Sequence, residues 1–129
     1  VYVNRIASQV DSLISIGHPP SRIAILGASQ GAHIACAIAQ KLHHPDIHYA
    51  LLGMCRETTW KRFAGQRLPG HFLSIIESSD PHGTCSQVFE TVQDESSYLE
   101  RTLHMGNSHG FLYQPYPEWV NPFVTWLRD

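Results

Sequence analysis

Long apolar runs are missing from this chain of 129 residues. The longest mainly apolar stretches, at 23–26 and 50–53, fall far short of the roughly 20 residues that span a bilayer, so no membrane-spanning helix is expected. An excess of one charge sign is missing too. Nine Lys and Arg face eleven Asp and Glu, a net charge of -2, and without a basic stripe to neutralise phosphates, nucleic acid is not an expected partner. Cysteine is scarce and unpatterned. Cys36, Cys55 and Cys85 form neither a CxxC nor a metal-ligand spacing, which fits a reducing compartment such as the cytoplasm better than a disulfide framework. Cys55 and Cys85 follow two neighbouring predicted strands, so a bridge between them is sterically open, but unpaired thiols are the expected state. There is no internal repeat, low-complexity tract or linker, and 43% hydrophobic content at this length is that of one domain with one core, residues 1–129.

What is present is an alternation. Val3, Ile6, Val10, Leu13 and Ile14 recur at helical spacing, which predicts an amphipathic helix over 3–14, ended by Gly17-His18-Pro19-Pro20. The run from Arg22 to Leu26 has no polar alternation, as expected of a parallel strand covered on both faces. Helix is expected over 30–42, a second buried strand over 47–53, a short helix over 58–64, a third strand over 71–77 and a helix over 84–92. A fourth strand over 98–104 carries Glu100 and Arg101, and the closing segment 117–128 reads as helix, with Asn121-Pro122 either a kink or its true start. Strands alternating with helices predict an α/β fold, a parallel sheet of about four strands flanked by helices on both faces. The chain opens on Val1 and reads as helix by its second residue, as though starting in mid-structure.

The chemistry sits in the first strand-to-helix turn. Gly27-Ala28-Ser29-Gln30-Gly31 matches G-x-S-x-G. At average residue frequencies the pattern arises by accident about once in twenty-five chains of this length, and the strand-to-helix context narrows that further. A sharp reversal there holds the serine in a strained backbone, and glycine-sized neighbours are expected to let strand and helix approach. The Gln30 N–H, at the helix N-terminus, can then face a developing oxyanion. An inert serine in a phosphate-binding loop is the alternative, but the turn has neither G-x-G-x-x-G nor G-K-[ST].

In these residues the chain resembles the α/β-hydrolase family, whose members supply an acid and a histidine later in the chain, in that order. The resemblance implies a serine hydrolase that cleaves carboxylic esters or thioesters through an acyl-enzyme, with no cofactor. Glu77-Ser78-Ser79-Asp80-Pro81 resembles the family's acid turn, which makes Asp80 the candidate acid. Glu77 reads as the end of the strand, and Asp94 and Glu95 as a solvated loop. Gly106-Asn107-Ser108-His109-Gly110-Phe111 resembles the histidine loop, which makes His109 the candidate base. His104 and His82 are the weaker alternatives for that role. A metal reading of His43, His44 and His48 lacks a nearby Cys or carboxylate pair, so a polar turn is expected there and no metal. Such a triad predicts hydrolysis that falls in acid, as a histidine base becomes protonated.

The likeness covers nearly the whole chain but corresponds to the family's C-terminal half. It implies that the early strands, and the loop giving the second oxyanion-hole donor, are absent from this sequence. Removing one such donor typically costs about 100- to 1,000-fold in turnover. The strand from Arg22 to Leu26 is then expected at an open sheet edge, suited to pairing with another strand or to self-association. A non-catalytic remnant serving as an interaction module is therefore the competing expectation. Trp60 and Phe63 are expected to anchor the loop after the second strand, and Phe111, Tyr113, Tyr116 and Trp119 to pack the last helix.

Overall fold

In the computed structural model, which describes residues 2–53, 57–81, 84–89 and 98–128, four parallel strands stand side by side in chain order. They are β1 (Ala24–Ala28), β2 (His48–Leu52), β3 (His71–Glu77) and β4 (Tyr98–Leu103). The flanking helices are α1 (Tyr2–Ser15), α2 (Gln30–Leu42), α3 (Glu57–Phe63), α4 (Ser86–Phe89) and α5 (Pro117–Arg128), with 3₁₀ turns at Pro20–Arg22 and Ser108–Tyr113. The fold is α/β, as the alternation of apolar runs and helical spacing predicts.

A sheet that steps from β1 to β4 without reversing sends each right-handed crossover over the same face. That face accordingly carries α2, α3 and α4, joined by α1, around a core of Ile38, Tyr49, Leu51, Phe63, Phe72, Val88 and Phe89. The opposite face shows Leu52, Leu73, Ile75 and Leu103, covered by Phe111 of the 3₁₀ turn and by Trp119, Phe123 and Trp126 of α5. Strands β2 and β3 are therefore apolar on both sides. At the sheet's edge, β1 is less protected: Leu26 is 47% exposed, and Ala24 and Ala28 are open to solvent. The open edge starts at Ala24 rather than at Arg22, which belongs to the preceding 3₁₀ turn.

Other boundaries move for local reasons. The helix expected over 84–92 is helical at Ser86–Phe89, and residues 90–97 lie outside the described ones. Helix α5 starts at Pro117, where proline's missing N–H costs nothing, and runs through Pro122. Glu100 fits inside β4 because its carboxylate accepts hydrogen bonds from the hydroxyls of Ser74, Tyr98 and Thr84. Phe63 and Phe111 are fully buried and Trp60 packs on the core, but Tyr113 is 78% exposed. Cys85 is buried and disulfide-bonded, which overturns the expectation of an unpaired thiol there and removes the cysteine argument for a reducing compartment. Segments leaving the adjacent strands β2 and β3 emerge on one sheet edge, the steric opening noted above; Cys55 lies outside the described residues. Cys36, inside α2, is a free buried thiol that burial pushes up to about 12.

The passage from β1 into α2 brings two backbone segments close together. A Cβ added to Gly27 would lie 2.1 Å from the Gly31 carbonyl oxygen, 2.5 Å from its carbon and 3.0 Å from the Ala32 nitrogen. All three are backbone atoms, so none can rotate away. At Gly31, in contrast, an added Cβ meets nothing within 4 Å, so steric need for glycine rests on Gly27 alone. We expect Gly27→Ala to cost about 1–3 kcal/mol or more, as overpacking does. Gly31→Ala should be neutral or stabilising by up to about 1 kcal/mol through helix propensity. Urea denaturation midpoints of the two variants check this contrast.

Candidate functional site

Parallel strands in one order bring all four C-terminal ends to the same edge of the sheet, where open α/β sheets place their sites. Ser29 follows β1, Gly53 follows β2, Asp80 is the third residue after β3, and the loop after β4 leads to His109. The structure thus collects the three sequence-predicted residues on one edge.

Ser29 occupies the reversal itself, at φ 58 and ψ -118, a region that is costly for any residue with a Cβ. Its N–H donates to the Leu52 carbonyl at 2.8 Å and its carbonyl accepts from Ala32 at 3.0 Å, so the backbone is tied on both sides while strained. The hydroxyl makes no capping bond to α2. Gln30 opens α2, and its N–H has no acceptor among the described residues, as expected of a first-turn donor.

Asp80 is buried and sits in a turn closed by its own N–H donating to the Glu77 carbonyl at 2.9 Å. Its Oδ2 lies 2.6 Å from His109 Nδ1, with the Asp80 side chain 1% exposed and that of His109 22%. A short contact between a buried carboxylate and an imidazole fixes the ring's orientation and favours the tautomer protonated at Nδ1. The 3₁₀ turn that carries His109 begins at Ser108, itself at φ 54. On the other flank the ring leans on Gly53, at φ 98, where an added Cβ would be 3.0 Å from His109 Cε1. Ser29 and His109 therefore abut consecutive residues, Leu52 and Gly53, at the end of β2. Among the described residues no hydrogen bond joins the Ser29 hydroxyl to His109.

The alternatives weighed for these roles fall elsewhere. His104 is exposed, with Nδ1 3.1 Å from the Ser78 hydroxyl, and His82, Asp94 and Glu95 lie outside the described residues. His43 caps α2 at φ 56. His48, at the opposite end of the sheet, packs its ring on His71 and Trp126, with centroids 5.0 and 5.1 Å away. Burial and the neighbouring His71 lower the His48 pKa despite Asp46. Among the described residues no three His, Cys, Asp or Glu side chains converge as metal ligands, and no helix is long and apolar enough to cross a membrane.

One residue read from the sequence as a mere strand end belongs to the site's framework. Glu77 is 2% exposed, and its Oε1 accepts the N–H groups of Met105 at 2.8 Å and Gly106 at 3.2 Å. Its other oxygen is 3.4 Å from the Ser79 hydroxyl. Burial pushes the carboxyl up, but the N–H donors of Gly106, Met105 and Ser79 together with the Ser79 hydroxyl outweigh it and hold the group below its ordinary value. The sequence signal was a single carboxylate closing a mainly apolar strand, HFLSIIE, which marks either a solvated end or a buried acceptor.

No protein-family model, curated protein or solved structure matches this chain. Its site is therefore read from geometry and from the resemblance of its motifs.

The lowered Glu77 pKa has a consequence for stability. A carboxyl whose pKa falls on folding contributes stability in full above its unfolded value of 4.5, and that contribution is lost as the pH drops below this value through the folded one. The urea midpoint of the wild type should fall on acidification below 4.5, and that of Glu77→Gln, which has no proton to take up there, should fall less steeply.

Proposed function

We propose that this chain is a serine hydrolase of the α/β-hydrolase type, acting on carboxylic esters or thioesters. The observation that carries the reading is the strained Ser29 backbone at the β1–α2 reversal on the same sheet edge as the 2.6 Å His109–Asp80 pair. A serine hydroxyl is a weak nucleophile unless a base takes its proton. With Nδ1 engaged by Asp80, Nε2 is the nitrogen that serves His109 as base. It accepts the Ser29 proton as Oγ bonds to the acyl carbon, and Asp80 stabilises the imidazolium that results. The Gln30 N–H supports the oxyanion from the positive end of α2. The imidazolium then protonates the departing alkoxide or thiolate, and water, deprotonated by the same ring, releases the acyl group from Ser29.

A second reading is favoured by one observation. The Ser29 hydroxyl and His109 are not hydrogen-bonded among the described residues, whereas an active enzyme must bring base and nucleophile within hydrogen-bond reach when substrate binds. On that reading the chain keeps a hydrolase-like frame without turnover and serves as an interaction module. In either reading the open edge of β1, with an apolar groove of about 210 Å³ beside it lined by Tyr2, Ile6, Leu26 and Ile34, is where a further strand or a second copy would pair. A strictly monomeric protein in concentrated solution, measured by sedimentation, would count against self-pairing.

A fluorophosphonate probe separates the two. The hydrolase should be labelled at Ser29, and labelling should vanish in Ser29→Ala. Hydrolysis of a p-nitrophenyl ester should fall about 10⁴-fold in Asp80→Asn, the loss expected when a base is left in the wrong tautomer. Folded protein that takes up no label would instead favour the interaction module.

A further inference from the structure

We infer that Glu77 is the positioning residue for His109, a single buried carboxylate that ties the acid-bearing turn to the histidine-bearing loop and so sets the reach between Asp80 and the imidazole. The inference rests on the hydrolase reading for its catalytic consequence, but its structural content stands on the hydrogen bonds themselves.

Two segments must meet for the 2.6 Å contact to exist, residues 78–80 after β3 and residues 104–109 after β4, and the partners Asp80 and His109 are 29 residues apart. Glu77 holds both. Its backbone carbonyl accepts the Asp80 N–H at 2.9 Å, fixing the turn that aims the acid. Its side-chain Oε1 accepts two consecutive N–H groups from the other segment, Met105 and Gly106. A relay extends the hold by one more step. The Ser79 hydroxyl, within reach of Glu77 Oε2 at 3.4 Å, accepts the Ser108 N–H at 2.8 Å, and Ser108 is the residue directly before His109. Ser78 adds two further ties, its N–H to the Leu103 carbonyl at 2.8 Å and its hydroxyl to His104 Nδ1 at 3.1 Å, but neither reaches the residues next to His109.

The chemistry explains why a carboxylate occupies this place. Buried at 2% exposure, it needs several donors to remain acceptable there, and loop N–H groups that leave a strand need acceptors other than the ladder. An apolar residue at position 77 would leave the Met105 and Gly106 N–H groups to find water, and the loop would lose its register against Asp80. A displacement of about 1 Å in a catalytic group can cost about 100-fold in rate. Outer partners that orient a reacting residue carry comparable weight in metal sites. Glu77 acts only through His109 and touches no substrate.

The test uses a readout that hydrolysis does not enter. A hydrogen-bonded imidazole N–H gives a far-downfield proton resonance, assigned to His109 by its loss in Asp80→Asn. In Glu77→Ala with an unchanged far-UV circular dichroism spectrum, that resonance should shift or broaden away, and kcat on a p-nitrophenyl ester should drop about 100-fold with KM within twofold. Glu77→Gln keeps a carbonyl oxygen for Met105 and Gly106, so it should retain the resonance and lose less than about tenfold in kcat. If Glu77→Ala fails to fold, Ser79→Ala, which cuts only the relay to Ser108, should still move the resonance. An unmoved resonance in folded Glu77→Ala or in Ser79→Ala, or Gln as damaging as Ala, overturns the inference. A resonance that responds to Glu77 in a protein whose Ser29 takes no fluorophosphonate sustains the positioning role and sinks the hydrolase reading. Efficient labelling with an unresponsive resonance does the reverse.

Discussion

The carbonyl oxygen of Gly31 lies only 2.1 Å from where a Cβ at position 27 would stand, and the arrangement of this domain hangs on the absence of that atom. Because residue 27 has no side chain, β1 can end directly beneath the first turn of α2, and Ser29 is forced into a backbone conformation it would not adopt in a relaxed loop. The strain is sustained by its surroundings. Leu52 accepts the Ser29 N–H, Ala32 donates to the Ser29 carbonyl, and α2 is anchored through Ala35, Ile38 and Ala39, which are buried nearly completely.

The sheet then does the collecting. Parallel strands in sequence order put every connecting helix on one face and every strand exit on one edge, so residues as distant in sequence as 29, 80 and 109 share a small region without any long-range design of their own. The same order leaves the second face to whatever follows β4, and the 3₁₀ turn and α5 supply it. Coverage by one helix and a 3₁₀ turn is narrower than coverage by four helices, and β1 is the strand left short, with Leu26 partly in solvent.

Most of this frame was legible in the sequence because its signals are local. IHYALLG and HFLSIIE are mainly apolar without alternation, as strands covered on both faces must be, and the spacing of Val3, Ile6 and Val10 reports one buried stripe, but IAIL carries the same pattern in a strand whose Leu26 is half in solvent. Gly27-Ala28-Ser29 could be read as a strained turn for the same reason. What escaped depends on distance in sequence. Nothing near Glu77 announces that a loop almost thirty residues later returns to it, so the sequence shows it only as the end of a strand. Gly31 seemed as constrained as Gly27 because a pattern cannot say which of two glycines faces a backbone atom. Cys85 was misread since spacing along the chain does not measure separation in space. Tyr113 failed for a related cause: an aromatic in a 3₁₀ turn points wherever that turn's phase sends it, here into water.

Cys36 gives this architecture a built-in gauge. Its thiol, carried by α2, is fully buried and pushed up to about 12 by burial, so in the native state it is both shielded and protonated, and only the thiolate attacks an alkylating reagent. Modification of that sulfur therefore counts the molecules in which Cys36 has become exposed, by movement of α2 or by wider unfolding, and its rate at a given temperature sets a lower bound on the free energy of opening the helix on which Ser29 is mounted.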